Sequence, residues 1–215
     1  MISRFSIVCF DVDSTLVTIE GIDVLGAGNA AIADMTEKAM NGEIPLDEAY
    51  RMRLEIIRPT RQRVDALGEQ YARSIVEGGQ ETVAALQGAG VEVHLVTAGI
   101  AQAIAPLARR LHIAARHVHS VDLRFDAKGH YEGFDERSPL TKPGGKGEVV
   151  RGIRARTPGR TAFVGDGVSD LETKDHVDLF IGYGGVAERP KVKAGANVYV
   201  TERDLRTVLK HLIHE

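Results

Sequence analysis

Short apolar runs that alternate with segments of helical periodicity are the feature of this chain that most constrains its fold. The apolar runs span residues 5–10, 91–96, 161–164, 179–181 and 197–200. The segments with apolar residues at helical spacing include 80–87, 100–111, 146–155 and 204–213. Buried strands that alternate with helices are typical of a parallel sheet, because each helix carries the chain back across one face of the sheet. The sequence therefore predicts an α/β fold built on a doubly wound parallel sheet.

Two segments interrupt this alternation. Residues 18–73 contain consecutive helical patterns with no strand between them, which predicts a helical cap domain inserted after the first strand. The remaining residues, 1–17 and 74–215, are then predicted to form the core. Within the core, residues 117–135 carry alternating apolar residues around a turn at 126–129, and this pattern predicts a small β-hairpin.

Composition and charge favour a small molecule as the ligand. The net charge is only −3 over 215 residues, and no run of five or more Lys and Arg occurs. Electrostatic attraction to nucleic acid or to an anionic membrane is therefore weak, and neither is an expected partner.

The single cysteine, Cys9, cannot form an internal disulfide, and the chain begins without a signal-peptide pattern, so we expect a cytoplasmic protein. The sequence makes no prediction of oligomeric state.

Polar residues cluster directly after the apolar runs. The first run ends in Asp11-Val-Asp-Ser-Thr15, the second in Thr97-Ala-Gly99 and the third in Gly165-Asp-Gly-Val-Ser-Asp170, while Lys146 lies in a Gly-Gly-Lys-Gly segment before a helix. In a parallel sheet these strand ends meet at one edge, where ligands bind. Clustered carboxylates need a cation, and oxygen donors suit Mg²⁺. A hydroxyl and a lysine beside them indicate a bound phosphoryl group, so the pattern predicts phosphoryl transfer with an aspartate available as nucleophile.

These motifs, in this order, resemble those of the haloacid dehalogenase superfamily of phosphatases. The resemblance covers nearly the whole chain and rests on Asp11-x-Asp13-x-Thr15, Thr97, Lys146 and Gly165-Asp-Gly-x-x-Asp170. Within the superfamily the chain is similar to the phosphoserine phosphatase family. That narrower resemblance rests on Asp-Val-Asp-Ser-Thr with Glu20-Gly-Ile-Asp23, on Met35-Thr-x-x-Ala-Met40, on Gly133-Phe-Asp135 and on Gly144-Gly-Lys-Gly147.

The resemblance implies a role for each aspartate of the motifs. Asp11 is expected to attack phosphorus and become an aspartyl phosphate, while Asp13 protonates the leaving alkoxide and then activates water. The implied Mg²⁺ ligands are Asp11, Asp166 and the backbone carbonyl of Asp13. Asp170 is expected either at the metal site or as a partner that tunes Lys146.

The implied phosphate-binding residues depart from the family pattern at one position. Thr97 and Lys146 are expected to hold the phosphoryl oxygens. The family usually has Ser-Gly-Gly where this chain has Thr97-Ala98-Gly99. Threonine keeps the hydroxyl, but Ala98 adds a methyl group where backbone N–H groups approach the phosphate.

The helical cap is expected to select the substrate. Arg53 lies in an apolar stripe of a helix, where an unpaired charge is costly, unless its side chain merely reaches solvent at the edge of the stripe. The resemblance implies that Arg53 binds a substrate carboxylate, Glu20 the substrate ammonium, and that Met35 covers the substrate. The expected reaction is hydrolysis of O-phospho-L-serine to L-serine and phosphate, a step of serine biosynthesis.

Other functions remain open from the residues alone. Receiver domains of signalling systems also combine an acidic cluster, a Thr or Ser and a Lys on a doubly wound sheet, but they hold their phosphoryl group as a switch. A phosphatase for another small phosphomonoester, or a phosphotransferase, would share the same motifs.

The eight histidines predict no second metal site. They show no metal-ligand spacing along the chain. His117 and His119 could face one side of a strand, and we interpret them as a surface pair.

Overall fold

A six-stranded parallel sheet forms the centre of the computed structural model, which describes residues 2–214. Its strands are β2 (Ile7–Phe10), β3 (Glu92–Ile100), β4 (Val118–Val121), β7 (Thr161–Gly165), β8 (Leu179–Tyr183) and β9 (Val198–Val200). They are arranged in the order β4-β3-β2-β7-β8-β9. The next strand of the sheet along the chain, β3, pairs with one side of β2, and β7 pairs later with its other side. This switch point is where open α/β sheets bind their ligands.

Two short antiparallel pairs accompany the main sheet. β5 (Leu123–Phe125) and β6 (Tyr131–Phe134) form a hairpin, and β1 (Ile2–Ser3) pairs with β10 (Ile213–His214) near the chain ends. The predicted hairpin is therefore present.

Ten α-helices surround the sheet within residues 2–214. They are α1 (Gly21–Leu25), α2 (Ala30–Met40), α3 (Leu46–Ile57), α4 (Arg61–Arg73), α5 (Gly79–Gly88), α6 (Ala101–Arg110), α7 (Gly145–Arg156), α8 (Val168–Leu171), α9 (Pro190–Gly195) and α10 (Leu209–Leu212). Helices α1 to α4 follow one another after β2. An antiparallel bridge between Val17 and Ile75 brings the two ends of this helical segment together. Its division from the core as a domain of residues 18–73 stays a prediction.

Close contact between α4 and α6 holds the helical segment against the core. Gly68 of α4 faces α6, and a Cβ atom at this position would lie 2.9 Å from a ring carbon of Pro106 and 3.3 Å from the carbonyl oxygen of Ala103. The absence of a side chain at Gly68 therefore lets the two helices approach each other.

Two predicted elements differ in the structure. The hairpin begins only at Leu123, because the preceding residues form β4, in which Val118 pairs with Leu95 at the open edge of β3. The helix predicted over 204–213 is a 3₁₀ turn followed by the short α10, since the Asp204 side chain accepts a hydrogen bond from the Arg206 N–H and the Asp204 carbonyl accepts one from Thr207. Such local bonds favour a tight turn over a longer helix.

The middle of the sheet is covered on both faces. All four residues of β2 have 0% of their surface exposed, including Cys9. Burial raises the pKa of the Cys9 thiol, so the side chain behaves as a small apolar group. Over residues 2–214, no helix has the length and apolar character that crossing a membrane requires.

Candidate active site

The carboxyl ends of β2 and β3 meet the first turn of α7 around one cavity, which Ser169 of α8 also lines. Eight of the residues predicted for the site line this cavity: Asp11, Asp13, Glu20, Arg53, Thr97, Ala98, Gly99 and Lys146. Asp11 and Asp13 follow β2, and residues 97–99 lie in the last part of β3, so the parallel sheet brings these five to one edge. Glu20 precedes α1, Arg53 lies on α3 and Lys146 on α7. The helices α1, α3 and α4 supply the opposite wall.

Lys146 lies between two aspartates. Its Nζ is 2.9 Å from Asp11 Oδ1 and 2.6 Å from Asp170 Oδ1, and all three side chains are buried. Burial by itself would lower the pKa of the Lys146 ammonium. The charges of Asp11 and Asp170 have the larger effect and raise this pKa. The other oxygen of Asp170 accepts the N–H of Gly167 at 2.9 Å. Both oxygens of Asp170 are thus engaged, which indicates that this residue positions Lys146.

Asp166 and Asp11 have carboxylate oxygens that fit a bound cation. Thr15 donates to Asp166 Oδ1 at 3.0 Å, whereas buried Asp166 Oδ2 makes no hydrogen bond to any described residue. Its charged neighbour there is Arg189, whose Nε is 3.7 Å away. Asp11 Oδ1 likewise lacks hydrogen-bond geometry, despite its ion pair with Lys146. Oxygen atoms from Asp11, Asp166 and Asp170 lie within 4.8 Å of one another, a donor set that suits Mg²⁺.

The pKa values of the buried aspartates show why this cluster needs compensation. Burial, followed by the charges of Asp170 and Asp11, raises the pKa of Asp166 well above its usual range. Burial and the charge of Asp11 raise the pKa of Asp170 to about 7, although Lys146 opposes this shift. A cation held by Asp11 and Asp166 would lower the cost of keeping these groups ionised.

The side chain of Asp13 is held by two donors from the helical segment. Its Oδ1 accepts the N–H of Gly21 and the hydroxyl of Tyr71, each at 2.6 Å. Burial, with the charge of Asp11, raises the pKa of Asp13 to about 6. A Cβ atom at Gly21 would overlap the Tyr71 hydroxyl, so this arrangement requires glycine there. No local sequence pattern indicated Tyr71, which is 58 residues from Asp13.

Arg53 is buried on α3 with 3% of its surface exposed. Its Nε donates to the Ala49 carbonyl at 3.0 Å, and Nη1 donates to the Thr36 hydroxyl at 2.9 Å. Thr36 in turn lies 2.5 Å from Asp23 Oδ1. Among residues 2–214, no carboxylate lies within ion-pair distance of the guanidinium. Burial lowers the pKa of Arg53, although Glu20 and Asp23 oppose this shift.

Glu20 is the acidic counterpart of Arg53 in the same cavity. Ser14 donates to Glu20 Oε1 at 2.6 Å. Burial, with the charges of Asp13 and Asp166, raises the pKa of Glu20 well above its usual range. A ligand ammonium at this position would relieve the cost of the buried carboxylate.

The remaining predicted residues occupy different positions. Gly99 donates its N–H to Thr97 Oγ1 at 3.0 Å, which orients the Thr97 hydroxyl. Met35 is half-buried and is not among the residues that line the cavity, whereas Met40 at the end of α2 lines it. The reason is that α2 ends beside the loop after β7, where a Cβ atom at Gly167 would lie 3.2 Å from Met40 Sδ. The position expected for Met35 is therefore taken by Met40.

Comparison with known proteins identifies the family of the chain. The family model described as haloacid dehalogenase-like hydrolase matches residues 8–173. The chain belongs to this family. Membership of the haloacid dehalogenase-like hydrolases makes the chain an enzyme and removes the receiver-domain alternative.

Individual relatives in this hydrolase family agree with the narrower resemblance. The chain is 37% identical over 199 residues to a phosphoserine phosphatase of Mus musculus, covering 91% of this chain and 88% of the relative. It is 36% identical over 208 residues to a phosphoserine phosphatase of Drosophila melanogaster, covering 94% of this chain and 77% of the relative. A solved structure of a phospho-aspartyl intermediate analogue of phosphoserine phosphatase is also similar. It has a TM-score of 0.83 and 25% identity, over 98% of this chain and 100% of that one.

Proposed function

We propose that this chain hydrolyses O-phospho-L-serine to L-serine and phosphate. The supporting observation is that Arg53 and Glu20 line the same cavity as Asp11 and Lys146. A small phosphorylated amino acid has a carboxylate, an ammonium and a phosphate group. In the cavity Arg53 can pair with the carboxylate, Glu20 with the ammonium and Lys146 with the phosphate, while Asp11 is available as the nucleophile.

In the proposed first step, an oxygen of Asp11 attacks phosphorus as the bond from phosphorus to the serine oxygen breaks. Asp13 gives its proton to the leaving serine alkoxide. In the second step, Asp13 takes a proton from water as the water oxygen attacks phosphorus, and the aspartyl phosphate breaks to release phosphate and free Asp11. Lys146 and Thr97 hold the phosphoryl oxygens.

The metal of the proposed site is Mg²⁺. Asp11 and Asp166 would hold it, with the backbone carbonyl of Asp13, and Asp170 would act through Lys146. When bound, the ion supplies charge neutralisation at the phosphoryl group.

The partner of the enzyme is then a small phosphomonoester. We also propose a cytoplasmic location, which the lone buried Cys9 supports.

Replacement of Arg53 by alanine tests the proposed substrate. Removal of a charge-assisted contact to the substrate carboxylate should lower kcat/KM for phosphoserine roughly 10- to 150-fold, since such contacts contribute about 1.5–3 kcal/mol. 4-Nitrophenyl phosphate has no such carboxylate, so its hydrolysis should change little. Steady-state kinetics with both substrates measure the difference.

Arg51→Ala is a matched control on the same helix. Arg51 is exposed and pairs with Glu136 at the surface at 3.4 Å, so its loss should leave both substrates unaffected. Equal losses for the two substrates in Arg53→Ala would show that Arg53 has a structural role. The substrate would then be an unspecified small phosphomonoester.

Tyr71→Phe tests whether the cap holds the acid. Loss of the hydroxyl that donates to Asp13 should lower kcat/KM for phosphoserine roughly 10- to 150-fold, because a hydrogen bond to a charged group contributes about 1.5–3 kcal/mol. 4-Nitrophenyl phosphate should be affected less, since nitrophenolate leaves without a proton and kcat/KM reports only the steps up to its release. Kinetics of the two substrates provide the measurement.

Tyr50→Phe is the control for this substitution. Tyr50 lines the same cavity, but its hydroxyl has no hydrogen-bond partner among the described residues. We expect wild-type kinetics from this variant. An identical loss for both substrates in Tyr71→Phe would contradict a role of Tyr71 in orienting Asp13.

A further inference from the structure

The pairing of β3 with β4 brings together three histidines and a glutamate outside the active site. Leu95 pairs with Val118 and Val96 with His119, so the beginnings of the two strands lie side by side. Residues 92 and 94 project from the same face of β3, because side chains alternate along a strand. The surface pair interpreted from the sequence is therefore part of a larger cluster, formed by Glu92, His94, His117 and His119.

Donor atoms of Glu92, His94 and His117 lie close together. His94 Nε2 is 2.6 Å from Glu92 Oε1, and His117 Nε2 is 3.8 Å from Glu92 Oε2. One donor atom from each of the three residues lies within 4.8 Å of the other two. Two ligands at about 2.05 Å from a tetrahedral Zn²⁺ ion are roughly 3.3 Å apart. The contact of His94 with Glu92 Oε1 would therefore lengthen when an ion binds, and that of His117 with Glu92 Oε2 would shorten. Small side-chain rotations would complete the geometry.

The fourth residue, His119, fits the role of an orienting partner. Its Nε2 is 3.1 Å from His94 Nδ1, so one of these nitrogens donates to the other. When His94 Nδ1 carries the proton, His94 Nε2 presents its lone pair to Glu92 and His117. Histidines that bind metals usually donate their second ring nitrogen to such a neighbour. In the metal-free protein His94 Nε2 donates to Glu92 Oε1 at 2.6 Å, so a bound cation would take the place of this proton.

Access and protonation also suit a metal ion. The His94 side chain is buried, whereas the Glu92 and His117 side chains are 31% and 16% exposed, which leaves a route from solvent. Burial lowers the pKa of His94 and of His117, which favours the neutral imidazoles that bind metals. Thr157 donates to Glu92 Oε1 at 3.3 Å and helps to orient the carboxylate.

We propose that Glu92, His94 and His117 bind a divalent transition metal ion of the zinc type, and that His119 orients His94. Two imidazoles and one carboxylate select such ions over Mg²⁺, which prefers oxygen donors alone. Three protein ligands leave a fourth position for water. The site is chemically distinct from the acidic cluster at the carboxyl ends of the strands, and the inference does not depend on the proposed substrate.

Co²⁺ titration of the metal-free full-length protein tests this site. Excess Mg²⁺ is present to occupy the acidic cluster, and Zn²⁺ serves as competitor. We expect one equivalent of Co²⁺ to produce the intense visible absorption of a four-coordinate ion, and Zn²⁺ to abolish it. His117→Ala should weaken Co²⁺ binding more than tenfold, and His119→Ala should weaken it roughly 10- to 100-fold while the one-to-one stoichiometry remains.

Two variants control for other sources of binding. His130→Ala removes an exposed histidine that is paired with Asp126 at a different surface, and it should bind Co²⁺ like the wild type. Asp11→Asn alters the acidic cluster and should also leave the visible spectrum unchanged. Glu92→Gln provides a second test of the site if His117→Ala does not fold, as judged by circular dichroism. Absence of the four-coordinate spectrum would overturn the proposal, as would a spectrum that survives both His117→Ala and Glu92→Gln.

Discussion

Asp11→Asn is expected to lower the turnover of phosphoserine by more than about 10³-fold. An amide is a poor nucleophile and cannot form the aspartyl phosphate, so the loss removes the covalent step itself. The substitution also removes the charge that lies 2.9 Å from Lys146 and alters one of the proposed metal ligands. Phosphate release and covalent labelling of the protein from radioactive substrate are the measurements.

Asp65→Asn is a matched control for this substitution. Asp65 is exposed on α4, so the same chemical change there should leave turnover and labelling intact. Appreciable hydrolysis by a pure, folded Asp11→Asn protein would contradict Asp11 as the nucleophile.

Removal of divalent metal is expected to abolish activity, with a loss of more than about 10²-fold. A metal ion contributes several kcal/mol of transition-state stabilisation at a phosphoryl group, and each 1.36 kcal/mol corresponds to a factor of ten in rate. Mg²⁺ should restore activity after chelation, whereas Ca²⁺ should not, because its larger and looser coordination allows a carboxylate to bind through both oxygens. Activity assays in excess chelator, before and after addition of each ion, test this expectation.

Thermal unfolding provides a second measurement of the metal. The proposed Mg²⁺ site needs the native state, where Asp11 and Asp166 lie together, so Mg²⁺ should raise Tm in the wild type and raise it less in Asp11→Asn. Full activity in excess chelator would refute the metal requirement. An equal rise in Tm for both proteins would place the ion elsewhere.

The part of the site that lies at the strand ends was predictable. The sequence pattern locates the strands, and the parallel topology brings their ends together. Asp11, Thr97 and Asp166 each lie at or just beyond a buried apolar segment, and parallel strands end at the same edge of their sheet. Arg53 was predictable for a similar reason, since its position in an apolar stripe indicated a buried charge. These predictions used only the spacing at which side chains recur on one face of a helix or strand and the high free-energy cost of burying a charge.

The strand β4 and the end of the chain show where local pattern was insufficient. Residues 118–121 read as part of a hairpin, but the open edge of β3 offered unpaired backbone groups, and β4 forms there. The helical period at 204–213 was overridden by the side chain and carbonyl of Asp204.

The sequence by itself determined the α/β fold, the family motifs and the residues gathered at the strand ends. Only the tertiary structure decided that Tyr71 holds Asp13, that Met40 rather than Met35 lines the cavity, and that His94 lies between Glu92 and His119. These contacts depend on how the helical segment packs on the core and on the register of β4 against β3. Packing and register are set by the sum of many weak contacts between residues distant in sequence, so no local pattern of residues encodes them.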